Sequence, residues 1–163
     1  MSNSIIYNDA TPVGFLLIYG SLNDANNYFT NKLNGLMWTE ASISDKTKAL
    51  LQATRAIDRL NFIGEKTDSG QSLQFPRNDD DNIPVAIDIA TYEEAYQILS
   101  GRDSEIEQNG SNVLSRSFAS VRTAYDRSYI AENVRAGILS QVAWSYLVPY
   151  LRDPNTVHID RVN

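Results

Sequence analysis

The stretch PVAIDIATYEEAYQILSG, from Pro84 to Gly101, constrains the fold more than any other part of the chain. Pro84 suits the first turn of a helix, where its missing N–H costs nothing, and Gly101 suits the position just past a helix end. Between them, Ile87–Ala90–Glu94–Ile98 and Ile89–Tyr92–Tyr96–Leu99 form two series at helical spacing. A helix apolar around so much of its girth must be covered on more than one side. The pattern predicts a helix running to Leu99 and buried on two sides, with a neighbouring subunit as one source of cover.

Two further helices precede it. Ser21 and Asp24 read as a capping box, and Leu22, Ala25, Phe29 and Leu33 then share a face until Asn34-Gly35 ends the helix. Ser44 is the expected cap of the next helix, with Ile43 as its hydrophobic staple. Ala49 or Leu50, Ala53, Ile57 and Leu60 form its apolar stripe, and Arg55, Asp58 and Arg59 lie largely off it. Asn61 to Asn82 is then a long connection, of a length that is usually functional or disordered. Past Gly101, Asn109-Gly110 signals a turn, and alternation through Phe118, Val121 and Tyr125 predicts an irregular β-hairpin. A last helix is expected from about Ile130 to Leu147, carrying Val134, Ile138, Val142 or Leu139, and Trp144. The expected fold is mainly α: a small bundle of about four helices with a short β-hairpin. Residues 1–20 would form an extended N-terminal arm, 21–147 the bundle with the hairpin inserted around 105–126, and 148–163 a C-terminal tail.

At 163 residues the chain suits one domain. A chain of this size buries roughly 70% of its unfolded surface, enough for a core without staples. There is no cysteine, which excludes disulfides, thiolate zinc sites and thiol nucleophiles. The stretch MSNSIIYND lacks a basic start, and VGFLLIYG is far shorter than the ~20 residues a bilayer span needs. A soluble protein made inside the cell, with no membrane partner, is therefore expected. The net charge of −6 repels nucleic acid unless the basic residues are sorted to one side. His158 is the one histidine, so a two-histidine metal site is impossible and a catalytic triad would depend on a residue near the end. No catalytic residue, metal or cofactor is assigned, and no enzyme is expected.

The oddest segment is LQFPRNDDDNIP, from Leu73 to Pro84. Asp79, Asp80 and Asp81 are contiguous, so their side chains diverge, and neither the glycine nor the closing glutamate of a calcium loop follows. A solvated acidic turn is expected there. In an extended chain Leu73 and Phe75 would both point into the bundle. Pro76 would stiffen the turn and hold Arg77 where its planar fork could grip a carboxylate, on Asp58 or on a neighbouring subunit. Arg55 and Asp58 could pair on the helix surface or fix this loop. Trp38, Trp144 and nine tyrosines could stack bases, but at helical spacing such residues are more often core.

Taken in order, Ser21-Leu22, Ala25, Tyr28-Phe29, Trp38, Ala53-Thr54-Arg55, Ile57-Asp58, Gly64, Lys66, Gln71, Leu73, Phe75-Pro76-Arg77 and Ile83-Pro84 resemble the head–tail connector (adaptor) proteins of tailed bacteriophages. The similarity is greatest to a branch labelled DnaT-like single-stranded DNA-binding protein, and it runs from Tyr19 to about Leu99. It implies a helical bundle that assembles as a ring, usually twelve-fold, under the portal protein in the virion neck. Such a ring would extend the DNA channel and offer a platform to a downstream neck or tail protein. Interface or docking residues would come from Arg55, Asp58, Phe75, Pro76, Arg77, Tyr92, Tyr96 and Leu99, and Asp79, Asp80 and Asp81 could face the channel. A negative lining would let double-stranded DNA pass without specific binding. The alternative is the single-stranded DNA-binding protein of the branch label.

Overall fold

The computed structural model describes residues 17–102 and 131–152, together with the backbone of residues 115–118 and 121–124. In chain order the helices are α1 (Leu22–Thr30), α2 (Leu36–Glu40), α3 (Ile43–Asp58), α4 (Val85–Leu99), α5 (Glu132–Arg135) and α6 (Gln141–Leu147), and a 3-10 turn at Val148–Tyr150 follows. Strands β1 (Ser115–Phe118) and β2 (Val121–Ala124) pair antiparallel, with Ser115 opposite Ala124 and Phe118 opposite Val121. The fold is mainly α, a small helical bundle. The ladder closes at Phe118 and Val121; the expected turn at Asn109-Gly110 lies outside the described residues, as do residues 1–16, Tyr125 and His158.

Helix α4 sits between two cores. Ile87 and Ala90 join Tyr19, Ile57, Phe62, Phe75, Ile138, Trp144 and Leu147 in the first. Tyr92 and Ala95 join Ala25, Phe29, Trp38, Leu50 and Ala53 in the second, with Tyr96 and Leu99 packed at its edge. The second cover that this helix requires comes from the same chain, from Ala49, Leu50 and Ala53 of α3 together with α1 and α2. Pro84 is the residue before the first turn, and Gly101 beyond the end has φ +79°, a conformation that glycine adopts without strain.

Local signals placed several boundaries correctly and missed others. Ser21 caps α1 as expected, accepting from the Asp24 N–H (3.1 Å), but the box does not close: the Asp24 carboxylate accepts from the Ser21 hydroxyl (2.6 Å), and the Ser21 N–H donates to the Tyr92 hydroxyl instead. However, α1 stops at Thr30, and Leu33 is 89% exposed rather than on its buried face. Gly35 leads into α2, which the sequence reading lacked and which seats Trp38 in the core. The cap of α3 is Ser42, not Ser44: its hydroxyl accepts from the Asp45 N–H at 3.1 Å. That shift leaves Ile43 66% exposed inside the first turn, so no staple forms.

The expected single helix from Ile130 to Leu147 is broken. Gly137 (φ +83°) turns the chain out of α5, and the N–H groups of Leu139 and Ser140 donate to the buried Glu94 carboxylate at 2.9–3.0 Å. Ser140 then caps α6 by accepting from the Ala143 N–H at 3.0 Å. A carboxylate brought across from α4 satisfies the donors that a continuous helix would have used internally. Of the expected arm and tail, Tyr19 is fully buried, and Leu151 pairs with Phe62.

Candidate functional site

The connection between α3 and α4 is ordered by its own hydrogen bonds. Lys66 pairs with Arg77 antiparallel, the Asn78 N–H donates to the Glu65 carbonyl (3.0 Å), and the Thr67 N–H donates to the Pro76 carbonyl (3.2 Å). The Gln71 amide donates to the carbonyls of Leu73 and Pro76, both at 2.9 Å. Gly64 has φ +76°, and a Cβ there would fall 1.6 Å from Asn78 Oδ1, so only glycine fits.

Phe75 is buried and linked to Pro76 by a cis peptide bond. Its ring meets Phe62, Tyr150 and Tyr19 edge-on, with centroids 4.7, 5.9 and 6.1 Å away. Leu73 packs beside it, half-buried, so both point inward as their alternation suggests. Arg77 is also buried, and its partners correct the expectation. Its guanidinium donates to the carbonyls of Ile63 (2.9 Å), Phe62 (3.4 Å) and Gly64, and to Gln74 Oε1 (2.8 Å). It grips carbonyl oxygens of its own loop, not a carboxylate.

Asp58 is occupied elsewhere. It accepts from the Tyr19 hydroxyl and from the Gln74 N–H (2.7 Å), tying the entering chain, the end of α3 and the loop together. Burial, reinforced by this carboxylate, pushes the Tyr19 phenol far above its ordinary range. Arg55 does not pair with Asp58; both line a groove instead. Asp79, Asp80 and Asp81 are all exposed, and among the described residues no cluster of acidic or histidine side chains is placed to hold a metal.

Of the remaining interface candidates, Tyr92 is buried within its own chain, where its hydroxyl accepts from the Ser21 N–H (3.3 Å). Tyr96 stacks on Phe29 (5.3 Å) and donates to the Asn34 carbonyl. Tyr96 and Leu99 keep part of their surface, unlike Tyr92.

Two hollows flank α4. The first, about 650 Å³, is lined by Gln52, Arg55, Arg59, Leu73, Ile98 and Arg102 among others, and among the described residues none that lines it is aromatic. The second, about 870 Å³, includes Asp24, Asn27, Val85, Asp88, Ile89 and Val142. At 100° per residue, Val85, Asp88, Ile89 and Tyr92 lie on one side of α4, and Glu94 and Ile98 roughly opposite, so the helix separates the hollows. Asp88 Oδ1 is buried without a hydrogen-bond partner. Burial pushes the Asp88 carboxyl up to about 6; the nearby Asp24 charge adds to the shift and a Gly20 backbone N–H opposes it.

Sequence reasoning had no means of finding Glu93. Its buried carboxylate accepts from the Tyr28 hydroxyl on α1 and from Lys32 just past its end, both sixty or more residues away. Glu94 did leave a signal, since it occupies a place in the apolar series Ile87–Ala90–Glu94–Ile98.

A family model described as "Putative DnaT-like ssDNA binding protein" matches residues 5–158. The chain belongs to this family. The match to the DnaT-like family extends on both sides of the Tyr19–Leu99 segment that carried the sequence resemblance, and so takes in the hairpin and α6. Neither curated proteins nor solved structures give a match.

Proposed function

We propose that this DnaT-like family member is a structural head–tail connector of a tailed bacteriophage. It would form a ring under the portal protein in the virion neck, extend the DNA channel, and dock the next neck or tail protein. The observation that carries the reading is the apolar surface left on an otherwise well-filled bundle. Leu33, Leu36, Met37 and Ile43 are 43–89% exposed within eleven residues of one another, and Val85, Val142 and Val148 are 47–69% exposed elsewhere. Clusters of exposed large apolar residues mark surfaces that a protein partner covers. The resemblance to connector proteins in the segment from Ser21 to Pro84 names the kind of assembly.

A single-stranded DNA-binding role is the second reading, favoured by the family's description and by Arg55, Arg59 and Arg102 around one groove. Single-strand binders combine a basic groove with aromatic stacking platforms. Among the described residues the groove has arginines but no rings, while Phe29, Trp38, Phe75 and Tyr92 are buried in the cores. The net charge of −6 weighs the same way.

One pair of measurements tests the choice. Electron microscopy of virions carrying this chain should place it in the neck. Labelled oligonucleotide should bind only weakly at physiological salt. Sub-micromolar binding with a steep salt slope would overturn the connector reading in favour of the second.

A further inference from the structure

A ring built from identical copies needs two different faces on each copy, one complementary to the other, because a head-to-tail contact repeats around the axis. The two hollows on opposite sides of α4 meet that requirement. Arg55 and Arg59 are exposed beside the first, and among the described residues neither meets a carboxylate. Arg102 adds a third guanidinium, held there by the Leu139 carbonyl (3.3 Å) and Gln97 Oε1 (2.9 Å). The acidic groups on that side, Asp58 and Glu94, are turned to partners inside the chain. The second hollow has the opposite character. Asp24 and Asp88 stand beside exposed Val85 and Val142, while Lys32 there is neutralised by Glu93.

We infer that the face bearing Arg55 and Arg59 on one copy receives the Asp24, Asp88 and Val142 face of the next copy. This rests on the ring reading above and deepens it by assigning the surfaces. Opposite potentials guide the approach and set the register, and Val85 and Val142 supply apolar area that the apolar wall of the first hollow, Leu73 and Ile98, can cover. Asp88 Oδ1, which has no hydrogen-bond partner, then gains a cationic neighbour from the next copy.

The test uses the full chain and two variants altered at exposed positions, R55E/R59E and Val142→Arg, each checked for native circular dichroism. At low salt, about 50 mM, exposed charges are weakly screened. Sedimentation of the wild type should show concentration-dependent association that fades at about 500 mM salt. Each variant alone should associate at least tenfold more weakly. An equal mixture of the two should associate again, since each keeps the face that the other has lost. Overturning results are a wild type that stays monomeric at low salt, a variant that associates like wild type, or a mixture that does not recover. Failure of the ring reading is distinguishable: the chain would then be missing from virion necks. Variants that enter necks normally would sink only the assignment of faces.

Discussion

A guanidinium buried among carbonyl oxygens keeps its place through the number and direction of its donors. Arg77→Ala should remove hydrogen bonds from the carbonyls of Phe62, Ile63 and Gly64 together and destabilise the fold by about 3 kcal/mol. Arg77→Lys should recover little, because an ammonium lacks the planar fork. Phe75→Ala, which empties the centre of three edge-on ring contacts, should cost about 3–4 kcal/mol. Urea denaturation measures both; a loss under about 1 kcal/mol would mean that the loop holds without them. Asp88 acts with the opposite sign. Its folded pKa of about 6 exceeds the ordinary 3.8, so the folded chain holds the proton better than the unfolded one. The resulting penalty is absent below about pH 4, grows as pH rises towards 6, and is present in full above. Around this carboxyl stand Asp24 from α1, Tyr92 on α4, and the Lys32–Glu93 pair at the same hollow. Asp88→Asn should therefore stabilise the monomer at pH 7 by about 1 kcal/mol, after discounting for its partial exposure, and flatten the fall between pH 4 and 6. Thermal melts across that window that show no gain would refute this.

At the scale of elements, α4 binds the molecule together through carboxylates as well as apolar side chains. Glu94 receives the N–H groups of Leu139 and Ser140 and so fixes the start of α6. Glu94→Leu would leave these buried donors unpaired, with an expected loss of about 3–5 kcal/mol. Glu94→Gln keeps one accepting oxygen and should cost less. Hydrogen exchange should show α6 opening in both variants, and protection unchanged there would contradict the role. The α1–α2 corner depends on Tyr96 in a comparable way. Its ring stacks on Phe29, and Lys32 lies 5.8 Å from the ring centroid. Tyr96→Asp should loosen this corner by about 2–3 kcal/mol, measured as a fall in melting temperature. A native melt combined with failed assembly would instead restore Tyr96 to an interface role.

For the whole molecule, the net charge of −6 is not evenly spread over the described surface. Arg55, Arg59 and Arg102 gather on one side of α4, and Asp24 and Asp88 lie on the other. Asp79 to Asp81 project from the loop between α3 and α4 into solvent. In a ring, an acidic surface turned towards the axis would repel phosphates and let DNA slide, so the same charge that disfavours a binder suits a conduit.

Much of this protein follows from local physical chemistry that the sequence displays. The Ser21 cap, the α3 stripe, the bounds of α4 and the inward pair Leu73 and Phe75 depend on residues a few positions apart. Spacing and side-chain type suffice for these. Tertiary structure decided the rest, because the deciding partners are distant in sequence. Glu94 breaks the last helix from forty-five residues away, and Asp58 is taken by Tyr19 before Arg77 can reach it. Buried polar groups must find partners wherever the fold supplies them, and burial is set by packing rather than by periodicity. The girth of α4 announced that two sides needed cover; only the packed chain decided that α3, with α1 and α2, would provide the second.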